Sequence, residues 1–177
     1  MRTPPERTPA VLEDPGVRVS DPRELLIGTL DWYRERLLGK LDGLSDVQLR
    51  TPVEPLGWSP LGLVQHLTWV ERRWLRWGFA AEDVPGYPPG DDEAEWHIAD
   101  TTFTADVVTT YHAEVEHARS VTARAGLLDQ AALGGRFPAA ADAPSLGRIL
   151  MHLVQEYARH VGHLDVAREL IDGARGE

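Results

Sequence analysis

The sequence predicts an all-α fold, a four-helix bundle. Four long segments repeat apolar residues at intervals of three and four, the period of an amphipathic helix. Three of them open on a capping signal, Asp21-Pro22, Ser59-Pro60 or Ser145. No segment sustains the period-two alternation of a half-buried strand, and no internal repeat is apparent. Four amphipathic helices bury their stripes most simply against one another.

Residues 1–20 carry Pro4, Pro5, Pro9 and Pro15 with little periodicity and are expected to form an irregular N-terminal arm; the bundle domain is expected over 21–177. The first helix is expected over 22–44, with Pro22 at its first position and Leu26, Leu30, Tyr33, Leu37, Leu41 and Leu44 on one stripe. Ser45-Asp46 begins a connector with room for a turn of helix. "EPLGWSP" is then punctuated by Pro and Gly. Ser59 caps a second helix that runs to about Phe79, with Leu63, Leu67, Val70, Trp74 and Trp77 as its apolar stripe. Trp69 lies off that stripe, and Trp58 is placed to staple the preceding loop. The stretch "AAEDVPGYPPGDDEAEWHIADTT" is acidic, irregular and long for a connection within a domain, a property more common in functional loops. A third helix is expected from Thr104 to Ala125, with Val108, Tyr111, Val115, Ala118 and Thr122 facing inward. After a second irregular connection, Ser145 caps a fourth helix that ends near Ile171, stopped by Asp172-Gly173.

At 177 residues the chain is the size of one domain with a substantial core. Its 42% apolar and 26% charged residues are those of an ordinary globular protein. A formal charge of −10 argues against electrostatic binding to nucleic acid or to an anionic membrane surface. No run approaches the ~18 apolar residues of a membrane span. The opening "MRTPPERTPAVLEDPG" lacks the apolar core of a secretory signal, so a cytoplasmic location is expected. Lys40 stands alone among the basic residues, all the others being Arg, a skew common in proteins of GC-rich genomes. The absence of cysteine removes disulfides, thiolate metal sites and a cysteine nucleophile.

The fourth helix, "LMHLVQEYARHVGHLDVARELIDG", contains an oddity. If Ile149, Leu153, Leu164 and Ala167 face the core, Glu156 and His160 lie on the same face, about 6 Å apart at their i, i+4 spacing. His66 sits within the stripe of the second helix in the same way. Bundles build metal sites from His and carboxylates that project inward from facing helices. His66, Glu156 and His160 make a two-His, one-carboxylate set, and three protein ligands leave positions open for water or substrate. The spacing leaves a second reading open, a metal-free pair in which Glu156 meets His160, Arg148 or Arg159 across the core. His152 and His163 lie on neighbouring turns, His152 toward the edge of the stripe and His163 as a further ligand, a supporting donor or an exposed residue.

"GWSPLGLVQHLTWVERRWLRWGFAAEDV" and the fourth-helix segment, in this order and spacing, resemble the DinB-like superfamily of bacterial metal-binding four-helix bundles. The resemblance covers about Pro22 to Gly173 and is strongest to a branch found mainly in high-GC Gram-positive bacteria. It implies a divalent metal held by one His of the second helix and two residues four apart on the last helix, here His66, Glu156 and His160. Many members have His at both of the latter positions; Glu156 departs from that pattern and resembles the mycothiol-dependent maleylpyruvate isomerase branch, whose ligands are His, Glu and His around zinc. The superfamily arrangement sets the second and third helices parallel, which implies a long crossover through residues 80–101. Tyr87 and Trp96 are expected to pack over one end of the bundle, as anchors of that crossover or as a pocket wall.

The resemblance implies a thiol-dependent S-transferase or isomerase acting on a small electrophile, with mycothiol, bacillithiol or glutathione as thiol and mycothiol favoured. Zinc fits the ligands best, and nickel, iron or manganese are compatible. Because the chain has no thiol, the nucleophile must come from the cosubstrate or from water. A metal-dependent hydrolase and a non-catalytic, stress-associated metal-binding bundle are the alternatives. A homodimer is common in the superfamily and is expected on that ground alone.

Overall fold

The computed structural model describes residues 16, 18–90 and 93–176. Most of the arm expected over 1–20 lies outside them. The described chain is all-α, with five helices and no strands. They are α1 (Pro22–Gly39), α2 (Asp46–Arg50), α3 (Pro60–Glu71, continued by a π-helical run Arg72–Phe79), α4 (Thr104–Thr122) and α5 (Leu146–Asp172).

The capping signals lie where the sequence puts them. The Asp21 side chain accepts from the backbone N–H groups of Arg23 and Glu24, at 3.0 and 2.9 Å. Ser59 accepts from Gly62 N–H and Ser145 from Arg148 N–H. Gly173 ends α5 in the left-handed region at φ 78°, where a side chain would be strained. The connector after α1 contains the short helix α2, opened by a reciprocal pair of hydrogen bonds between Ser45 and Gln48.

Helix α1 packs along α5, α3 along α4, and α3 also meets α5. The core between them is formed by Leu30 and Leu37 of α1, Leu63 and Leu67 of α3, Tyr111 and Val115 of α4, and Ile149, Leu153, Tyr157 and Leu164 of α5. At its centre is a polar hub. The fully buried Glu71 takes two hydrogen bonds from Arg34, both 2.8 Å, and a third from the Tyr157 hydroxyl at 2.9 Å. The hydroxyls of Tyr111 and Tyr157 are 3.0 Å apart. One network therefore ties α1, α3, α4 and α5, and it satisfies a charge that would otherwise be costly to bury.

Several stripes differ in phase from the expected ones. Helix α1 ends at Gly39 and the chain continues in turns, although Leu41 remains buried. On α1 the buried residue is Arg34 rather than its half-buried neighbour Tyr33, because Glu71 draws the guanidinium inward. On α4 Val107 rather than Val108 is buried, with Glu114 beside it, and the helix stops at Thr122 rather than Ala125. On the π-helical run the buried residues are Leu75 and Gly78, while Trp74 and Trp77 are half-buried. A wider turn with i→i+5 bonding, seen in Ala80 N–H to Leu75 C=O at 2.9 Å, rotates the inward face relative to an α-helix. On α5, Tyr157 takes the central position, and Glu156 and His160 lie half-buried at the margin of the seam. Among the described residues no helix is long and apolar enough to cross a membrane.

Candidate metal centre

The contact between α3 and α5 brings together the three residues singled out by spacing. His66, Glu156 and His160 each offer a ligand atom, and these atoms all lie within 4.8 Å of one another. His160 Nε2 is 3.4 Å from Glu156 Oε2, and the rings of His66 and His160 meet edge-on with centroids 4.9 Å apart. The three side chains are partly exposed, 14% for His66, 20% for Glu156 and 12% for His160.

The protonation pattern suits a metal. Nδ1 of His66 is 2.9 Å from Glu95 Oε2, and a carboxylate can only accept, so Nδ1 carries the proton. In the neutral ring Nε2 is then the lone-pair atom, and Nε2 is buried without a hydrogen-bond partner. A buried imidazole nitrogen without a hydrogen-bond partner, on a ring that meets His160 and lies near Glu156, fits the role of a metal ligand. Burial, reinforced by His66, His163 and Arg159, pushes the His160 pKa down to about 4. Its imidazole is therefore neutral near pH 7 and able to donate a lone pair. Two imidazoles and one carboxylate fit zinc or another first-row divalent ion.

Glu95, in the acidic segment between the π-helical run and α4, was not among the residues singled out by sequence. Burial opposes its ionisation, but hydrogen bonds from His66 and from Arg73, the latter at 2.7 Å, hold its carboxyl below the usual range. Arg73 reaches it from the π-helical run. No periodicity distinguishes Glu95 from the other acids of "DDEAEWH", so only the length and acidity of the loop signalled it.

Trp96 follows Glu95 and stacks on His66, with centroids 4.0 Å apart and planes 12° apart. Two features of α3 hold it there. The Gln65 amide donates to the carbonyls of Ala94, Glu95 and His97, at 3.1, 3.3 and 2.9 Å. Gly62, one turn before His66, lets the loop backbone approach: a Cβ there would lie 2.3 Å from Trp96 O. Trp96 and Trp58 also line a groove of about 590 Å³ together with Leu56 and Ile98. Tyr87, by contrast, is exposed and lies against Trp77 and Arg73, not against the three candidate ligands.

His152 sits beside the cluster, with Nε2 3.5 Å from Glu156 Oε1 and its ring against Trp74 at 4.2 Å. His163 is exposed, its ring 5.6 Å from that of His160. Neither belongs to the mutually close set, which contains no fourth protein ligand among the described residues.

A family model described as mycothiol-S-transferase matches residues 25–173, all of the helical domain but its first turn and the last described residues. The chain belongs to the mycothiol S-transferase family. This is a DinB-like family related to mycothiol enzymes, in keeping with the resemblance carried by the segments around His66 and around Glu156 and His160. No curated protein and no solved structure gives a significant match. Residues 25–173 contain all three candidate ligands together with Glu95, Trp96 and the Glu71 hub.

Proposed function

We propose that the protein is a metal-dependent S-transferase that uses mycothiol and a small electrophile, with His66, Glu156 and His160 as metal ligands. The observation that carries this is the lone-pair nitrogen of His66, buried, unpartnered and facing Glu156 and His160, in a chain of the mycothiol S-transferase family. In this reading the long helices form the metal-binding four-helix bundle of the superfamily, and residues 80–101 are its crossover.

A divalent ion, zinc by preference, would supply Lewis acidity that lowers the pKa of a thiol and makes thiolate available near neutral pH. The protein's own groups do the rest. Glu95 holds the His66 ring in one tautomer and one orientation, with Arg73 fixing the carboxylate from behind. Trp96 covers one face of His66 and keeps water from that side. The Trp58–Trp96 groove, which shares Trp96 with this site although none of the three candidate ligands lines it, offers room for the body of the thiol, within the usual size range of ligand pockets. Since the chain has no cysteine, the attacking sulfur belongs to the cosubstrate.

X-ray absorption on the metallated protein tests this. Alone it should show only nitrogen and oxygen scatterers, and with mycothiol it should gain sulfur. If saturating mycothiol, bacillithiol and glutathione all leave the spectrum unchanged, the thiol mechanism fails and a hydrolase or a non-catalytic bundle becomes the better account.

A further inference from the structure

Arg136 lies in the connection between α4 and α5. Its backbone is fixed there: its N–H donates to Trp77 C=O at 3.1 Å, and the next residue, Phe137, is buried. The guanidinium lies over the Trp74 ring at 4.1 Å. The same indole rests against His152 at 4.2 Å, and His152 Nε2 is 3.5 Å from Glu156. A half-buried cation is thus held a few contacts from a candidate metal ligand.

Its partners do not match its charge. Among the described residues Arg136 forms no ion pair with a carboxylate; its guanidinium lies against the rings of Trp74 and Phe137, and Nη1 is buried with no hydrogen-bond partner. Arg73, a cation that acts on Arg136, is already paired with Glu95. A guanidinium taken partly out of water and left without an anion is expensive unless a ligand completes it. Its planar fork suits a carboxylate.

We propose that Arg136, stacked on Trp74, binds the carboxylate of the electrophile and so selects carboxylate-bearing substrates. An anion bound at Arg136 would lie beside Trp74, whose indole also touches His152, the neighbour of Glu156. The inference rests on the S-transferase reading for the word electrophile, but the anion site itself needs neither metal nor thiol.

The test uses chelated full-length protein and follows the Trp74 indole N–H by NMR, identified through Trp74→Phe. Crotonate, an unsaturated carboxylate, is titrated against its neutral methyl ester. The expected result is a saturable shift with crotonate, none with the ester, at least tenfold weaker binding in Arg136→Gln and partial recovery in Arg136→Lys. Equal response to the ester, undiminished binding in Arg136→Gln, or a shift produced by mycothiol and not by crotonate would each overturn the proposal. Far-UV circular dichroism confirms that the variants fold; if Arg136→Gln loses helicity, Arg136→Lys decides, since a lost fork with retained charge should still weaken binding severalfold. Because no metal is present, failure here leaves the sulfur-ligation test intact, and failure of that test leaves anion binding at Arg136 intact.

Discussion

His66 Nδ1 and Glu95 Oε2 stand 2.9 Å apart, and this single hydrogen bond links the helix that carries a candidate ligand to the loop that covers it. It decides which imidazole nitrogen faces Glu156 and His160. Replacing Glu95 by Gln removes the charge and leaves the tautomer of His66 less constrained. Metal affinity should fall by about 10–100-fold while helicity is unchanged. Competition with a chromogenic chelator measures it, and an unaltered affinity would show that Glu95 serves the loop alone.

The three candidate ligands should behave as a unit. His66→Ala, Glu156→Ala and His160→Ala are each expected to abolish stoichiometric metal binding, read by elemental analysis of untagged protein. Chelation of the wild type should lower the melting temperature, because an ion bound only by the folded state stabilises it by linkage. Full occupancy in His66→Ala would dismiss the ligand set.

His160 makes the metal-free protein sensitive to acid. Its folded pKa, about 4, lies below the ordinary value of 6.5. The folded state therefore binds this proton less readily than the unfolded state. Stability is fully present above pH 6.5 and declines as pH falls from 6.5 toward 4. The loss should be about 2 kcal/mol, a shift of this size being reduced by partial exposure. Urea titrations of wild type and His160→Gln across that window check it: the variant should lack this part of the slope.

Gly62 tests how Trp96 is held over His66. A methyl group in Gly62→Ala would overlap Trp96 O and push the loop off α3. The expected result is an altered near-ultraviolet circular dichroism spectrum and weaker thiol binding, with metal still bound through α3 and α5. Wild-type spectra together with wild-type thiol affinity would show that the loop has slack.

Glu71 is a structural counterpart. Glu71→Gln leaves Arg34 buried with its main partner weakened, and removal of one member of such a pair typically costs about 3–5 kcal/mol. Denaturant titration should show a loss of that order, with metal affinity nearly unchanged. A loss below about 1 kcal/mol would mean that water or Asp31 replaces the missing charge.

Local chemistry was legible in the sequence because it acts over a few residues. Asp21, Ser59, Ser145 and Gly173 announce helix ends through hydrogen bonds or backbone conformations that involve only their neighbours. The grouping of His66 with Glu156 and His160 was legible too, since helical spacing assigns each to an inward or marginal face and two such faces can meet. The family match over 25–173 adds weight to that grouping without testing it.

Other features depend on residues distant in sequence. Arg34 is buried because Glu71 lies opposite it, and Glu71 is tolerated because Arg34 and Tyr157 satisfy it; neither helix alone contains that reason. The wider turns after Glu71 changed which residues faced inward, so Leu75 and Gly78 displaced Trp74 and Trp77 from the core. Glu95 and Trp96 reach His66 through an irregular segment without periodicity, held by Gln65 and by the space at Gly62. The sequence by itself determined the all-α class and the helix caps, because these follow from the period of the chain and from near neighbours, and it put forward three candidate ligands. Only the tertiary structure decided which nitrogen of His66 lacks a partner, which acid orients it and which cation, Arg136, forms no ion pair among the described residues, because each depends on charges and hydrogen-bonding groups that meet only when distant segments pack together.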